Sequence, residues 1–102
     1  RFGCAGPLAT ACAETEARAA YLWFKVDPEK ALGFARDAWK HDRTLPGLSG
    51  NYGALLHNAV LRQVERRECA EVQRLAQEMA AADVLTPAVK ELAGRCQPRN
   101  GK

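Results

Sequence analysis

Four cysteines, Cys4, Cys12, Cys69 and Cys96, are the residues of this chain best suited to covalent chemistry. None stands in a Cys-x-x-Cys spacing, so neither a thioredoxin-type dithiol nor a zinc knuckle is suggested. Four cysteines allow three pairings. Cys69 and Cys96 lie at similar distances from a helical turn expected near Asp83–Leu85, and both fall on inward positions. A helical hairpin would bring them within the Cα separation of roughly 4.4–6.8 Å that a disulfide needs. Closing that loop adds about 3 kcal/mol, a large share of a small domain's stability. Cys4 and Cys12 then pair with each other and tie a glycine-rich lead-in to the first helix. The alternative is four buried, reduced thiols. Disulfides imply a periplasmic or secreted protein; free thiols imply the cytoplasm.

The other groups that could do chemistry are scattered. His41 and His57 are the only histidines. Lys40-His41-Asp42 closes a helix, where a cationic side chain suits the dipole. A metal needs three or four converging ligands, and no second cluster accompanies the His-Asp pair, so no metal site and no cofactor are expected. His41 is expected to be an exposed helix-end residue. His57 lies opposite a leucine face and is expected to be exposed as well. Ser49, the only serine, sits in Gly-Leu-Ser-Gly-Asn without a Gly-x-Ser-x-Gly elbow, and reads as a turn or helix-start residue. No phosphate-binding loop, dinucleotide glycine pattern or metalloprotease motif is present. Glu65, Glu68 and Glu71 alternate with arginines too evenly for a paired-carboxylate site. The expectation is therefore a protein that is not an enzyme.

Composition narrows the class further. The 102 residues suit one domain, 1–102, and 47% hydrophobic content supports a packed core. The net charge of +3 is mild, and stretches such as Glu65-Arg66-Arg67-Glu68 read as a solvated face. Nucleic-acid binders instead concentrate basic residues in a stripe, so no nucleic-acid partner is expected. No stretch approaches the ~18 apolar residues of a membrane span. The chain opens on Arg1, which reads as a processed or trimmed product, so the lack of a leader is silent on export. Abundant alanine and arginine suggest a bacterial source.

The elements that must position these residues are helices. After an irregular lead-in at 1–9, Ala13, Ala17, Ala20, Tyr21 and Phe24 follow three-and-four spacing, which predicts a helix over 10–25 with those residues inward. Asp27-Pro28 is an N-cap followed by proline at the first helical position, and starts a second helix over 28–42. Its apolar face is Ala31, Leu32, Phe34, Ala35, Ala38 and Trp39. Arg43–Gly50 reads as a loop. Tyr52, Leu55, Leu56, Ala59, Val60 and Val64 predict a third helix over 51–66. Cys69, Val72, Leu75, Ala76 and Met79 predict a fourth over 68–82. Thr86-Pro87 repeats the cap signal and starts a fifth over 87–96, followed by a frayed tail at 97–102. No strand pattern appears. Short loops favour antiparallel neighbours. The expected fold is all-α: about five helices in antiparallel helical hairpins, as a repeat-like stack or a small helical bundle.

Asp27–Asp42, reading Asp-Pro-Glu-Lys-Ala-Leu-Gly-Phe-Ala-Arg-Asp-Ala-Trp-Lys-His-Asp, resembles the second helix of a tetratricopeptide repeat. Small residues recur in that family where Ala31 and Ala38 stand here. The family closes this helix with Asp-Pro, whereas here Arg43 follows Asp42 and the proline comes at Pro46. The next helix, with Gly53 and Leu56, looks like the first helix of a following repeat. The resemblance implies peptide or partner-helix binding in a concave groove, and its groove positions match Ala54, His57 and Asn58.

The resulting expectation is a protein–protein or peptide interaction module, probed through Ala54, His57, Asn58 and Arg62, with Trp23 as a possible hydrophobic anchor. Trp23 has two alternatives, since Tyr21, Trp23 and Phe24 cannot all face one core: it packs against the helix of Trp39, or it is exposed. A competing expectation is a secreted effector, toxin or inhibitor that blocks a target through the loop Arg43–Gly50. A carrier of a small molecule or lipid would need an internal cavity.

Overall fold

Two helix starts follow directly from local chemistry. Asp27 accepts the backbone N–H of Lys30 at 3.1 Å, and Pro28 takes the first helical position. Thr86 does the same for Val89 at 3.2 Å, with Pro87 next in line. Each cap satisfies an N–H that the helix itself cannot. The computed structural model describes residues 4–96. It contains a short 3₁₀ turn at Gly6–Leu8, then α1 (Ala9–Trp23), α2 (Pro28–His41), α3 (Leu48–Glu65), α4 (Cys69–Ala81) and α5 (Pro87–Arg95). Among the described residues all regular structure is helical, so the fold is all-α with five α-helices. The tail expected at 97–102 lies outside the described residues, as do residues 1–3 of the lead-in.

The largest shift from expectation is at the start of α3. Leu48, Ser49 and Gly50 are helical, so the loop expected over Arg43–Gly50 ends at Gly47. Pro46 and Gly47 form the centre of a tight turn that the N–H of Leu48 closes onto the carbonyl of Leu45 at 3.1 Å. Gly47 has φ +80°, a conformation that glycine adopts without steric cost. The turn delivers Leu48, 2% exposed, into a buried cluster with Ala13 and Ala38. Burial of that leucine is a tertiary gain that glycine and serine propensities do not report.

The chain falls into two compact units, Arg1–Leu55 and Leu56–Lys102, with the division inside α3. In the first unit α1 and α2 are antiparallel. Thr10 at the start of α1 donates to Asp42 just past the end of α2, at 2.7 Å. At the other end, the amine of Lys30 sits 4.1 Å from the ring centroid of Trp23. The interface between them is built from alanines: Ala13, Ala20, Ala31, Ala35 and Ala38 are all buried. Small side chains let helix axes approach closely. The rings of Trp39 and Tyr52 pack at 5.3 Å between centroids.

In the second unit α4 and α5 are also antiparallel, joined at the start of one and the end of the other by Cys69–Cys96. Beside that disulfide, the Gln73 amide donates to the carbonyls of Ala93 and Cys96, the latter at 2.9 Å. Those are among the last carbonyls of α5, which have no partner within the helix. Buried side chains of this unit include Leu56, Val60, Val72, Met79 and Val89. Both α3 and α4 end in the same way, with a left-handed residue that is not glycine. Arg67 has φ 59° and Asp83 φ 60°. The N–H of Glu68 reaches the carbonyl of Gln63, and that of Val84 the carbonyl of Met79, which is the Schellman closure of a helix.

Candidate functional site

The side chains expected to fill the core at the end of α1 do not do so. Tyr21 is 75% exposed and Phe24 42%, against an inward position expected for both. The centre of the buried face is the alanine row of Ala13 and Ala20, and Tyr21 is turned about 100° from Ala20 around the helix. Close packing of alanine against alanine leaves no space for a phenol ring on that row. Leu22 and Val26 are exposed as well, at 68% and 74%. The end of α1 therefore carries a concentration of apolar side chains in contact with solvent, unlike the scattered single residues normal on a protein surface.

An apolar cleft adjoins these residues. Ala17, Ala20, Tyr21 and Phe24 form one wall, and Leu48, Asn51, Ala54 and Leu55 of α3 another, with Ala35 of α2 between them. Its volume is about 180 Å³. Leu55 is buried, while Asn51 and Ala54 are exposed at the mouth. All nine lining residues belong to the first unit. Small-molecule sites run to roughly 300–1,000 Å³, so this space suits one side chain better than a cofactor or a lipid.

The residues singled out in the sequence are spread over both units. Ala54 lines the cleft. Trp23 does not; it is half-buried, with Lys30 of α2 over its ring. That is the side of Trp39's helix, and the lysine covers a face that an anchor would present. His57, Asn58 and Arg62 follow on the part of α3 that belongs to the second unit. Asn58 is exposed, but His57 is half-buried rather than exposed. Arg62 is half-buried, and its Nε is buried without a hydrogen-bond partner among the described residues. An unmet donor of this kind costs about 1–3 kcal/mol.

His41 departs furthest from the surface position expected of it. Its Nδ1 lies 2.7 Å from Oε1 of Glu16, and both side chains are more than two-thirds covered. It joins α1 to α2. Next to it, Asp42 accepts from Thr10 at 2.7 Å, from the Thr44 hydroxyl at 2.5 Å and from the Thr44 N–H at 3.0 Å. The Thr44 hydroxyl and then Thr10 hold the Asp42 carboxyl below its ordinary range. These groups brace a helix end. Among the described residues no three His, Cys, Asp or Glu converge as metal ligands, and no helix is long and apolar enough to cross a membrane. Glu65, Arg66, Arg67 and Glu68 are all exposed, and Glu71 pairs with Arg74.

Cys69 pairs with Cys96 across the α4–α5 hairpin, and Cys4 with Cys12 ties the lead-in to α1. Cys4–Cys12 and Cys69–Cys96 are both bonded, with Cα separations of 5.8 and 5.2 Å. Two disulfides fit an oxidising environment. No family model, curated protein or solved structure matches the chain.

Proposed function

We propose that this protein is a non-enzymatic recognition module, acting in the periplasm or outside the cell, that binds a protein or peptide through the cleft between α1 and the first half of α3. The observation that carries this reading is the coincidence of an apolar recess with the exposed Tyr21 and Phe24 at its wall. Recesses that take one apolar side chain, rimmed by aromatic residues, are where binding energy concentrates in protein interfaces. The tetratricopeptide resemblance adds independent support, because Ala54, one of its groove positions, is a lining residue. Asn58 and Arg62 offer a separate polar contact in the second unit.

The test is to select peptides from a random displayed library against the intact, disulfide-bonded chain and map the binding by amide shift perturbation. Shifts centred on Ala17, Tyr21, Asn51 and Ala54, with binding abolished by Ala54→Trp, are the expected result. Ala54 is exposed at the mouth, so the tryptophan fills the recess without entering the core. Failure to select any peptide, or binding indifferent to Ala54→Trp, would overturn the reading. Alanine at His57 and Asn58 tests the second-unit contact separately.

A further inference from the structure

We infer that the occupant of this cleft is an acidic amphipathic segment: one large apolar side chain in the recess, flanked along the segment by carboxylates. The inference rests on the reading of the cleft as a docking site and adds the chemistry of the partner. Its basis is the charge around the mouth. Tyr21 stands at the wall of the cleft, and its neighbours along the same side of the helix are Arg18, three residues before, and Lys25, four residues after. The backbone still turns helically just past α1, since Phe24 has φ −51° and ψ −41°, so Lys25 stays near that side. Both cations are exposed and have no ion-pair partner among the described residues.

Residues 19–24, between the two cations, carry no charge, and the acidic residue on this side of α1 is Glu14, one turn before Arg18. The surface lining of α3 is Asn51 and Ala54, both uncharged, and α2 contributes only Ala35. A segment lying along α1 with its anchor beside Tyr21 therefore passes a cation on each side. Asn51 supplies a neutral donor and acceptor to the segment's own backbone or side chains. Rim charges of this kind set partner choice and association rate more than total affinity. A recess, rather than a protruding apolar ridge alone, favours a peptide over a lipid surface.

The experiment is a displayed peptide library with a fixed central leucine or phenylalanine and randomised flanks, selected in parallel on the wild-type chain, Arg18→Glu/Lys25→Glu and Ala54→Trp. Wild type should enrich aspartate and glutamate in the flanks, and the charge-reversed chain should enrich lysine and arginine. An acidic peptide selected on wild type should bind the charge-reversed chain about tenfold more weakly. Tyr21→Ala, which removes a side chain that the fold leaves exposed, should weaken every selected peptide and controls for misfolding of the tryptophan variant. Neutral or basic flanks on wild type, with binding still lost in Ala54→Trp, would overturn the acidic partner and leave the docking site standing. An empty selection, or peptides that Ala54→Trp and Tyr21→Ala both leave bound, would overturn the two together. Binding to phosphatidylglycerol vesicles that survives Ala54→Trp, in place of peptide selection, would assign the patch to lipid and overturn the proposal.

Discussion

Glu16 and His41 meet at 2.7 Å across the α1–α2 hairpin, half-buried, twenty-five residues apart in sequence. A histidine at a helix end suits the dipole wherever it points, so its partner is decided by the neighbouring helix. Partial burial gives the pair more worth than a surface ion pair, which contributes about 0–1 kcal/mol. A double-mutant cycle with Glu16→Gln and His41→Ala should give a coupling of about 0.5–1.5 kcal/mol in denaturant unfolding. Additive single effects would mean the contact is incidental.

Asp42 predicts an acid limb in stability. Its folded carboxyl titrates below the ordinary value of 3.8, chiefly because the Thr44 hydroxyl donates to it and then because Thr10 does. A depressed folded pKa contributes stability above the unfolded value, and that contribution is lost as pH falls through the folded one. Thermal melts from neutral pH down to the most acidic accessible pH should therefore decline more steeply below that value in wild type than in Asp42→Asn. Parallel curves would show that the threonines give the carboxylate no advantage over an amide.

The two disulfides should contribute unequally. Cys69–Cys96 closes 27 residues and Cys4–Cys12 only 8. Loop entropy assigns about 3.5 kcal/mol to the longer closure and about 2.5 kcal/mol to the shorter. Cys69→Ser/Cys96→Ser should therefore lower the unfolding free energy by about 1 kcal/mol more than Cys4→Ser/Cys12→Ser. Alkylation of the denatured, unreduced wild type should add no mass, and four adducts would contradict both bonds.

Arg67 offers a stabilising change. It holds φ 59° in the closure of α3, where an L side chain crowds the following carbonyl by about 1–2 kcal/mol. Glycine removes the crowding but gains freedom when unfolded, which returns about 0.4–1 kcal/mol. Arg67→Gly should raise stability by about 0.5–1 kcal/mol, read as a higher melting temperature. The same substitution at Gln63, which is helical in the last turn of α3, should instead lower stability, by up to about 1 kcal/mol.

Much of the fold was legible in the order of residues. Asp27-Pro28 and Thr86-Pro87 announce their helices because an N-cap and a proline act on backbone groups within a few positions. The pairing of Cys69 with Cys96 follows once α4 and α5 turn back on each other, since equal distances from the turn bring both ends together. The candidate site was less legible. The repeat-like spacing points to Ala54, which lines the cleft, whereas periodicity places Tyr21 and Phe24 in the core, where they do not lie. The available signal was the size mismatch between Tyr21 and the small residues of the hairpin, Ala13 and Ala20 on α1 and Ala31, Ala35 and Ala38 on α2.

Sequence alone determined the all-α class, the five helices and the cysteine arithmetic, because caps, periodicity and turn residues act over one or two helical turns. Tertiary structure alone decided that Leu48 extends α3 backwards, that His41 turns to Glu16, and that Tyr21 stands beside a recess. The reason is physical. Helical periodicity fixes which residues share a side of a helix, but the closeness of a neighbouring helix fixes how wide the buried part of that side is. Where alanine meets alanine, the buried strip narrows to the small residues, and the aromatic side chains next to it remain on the surface.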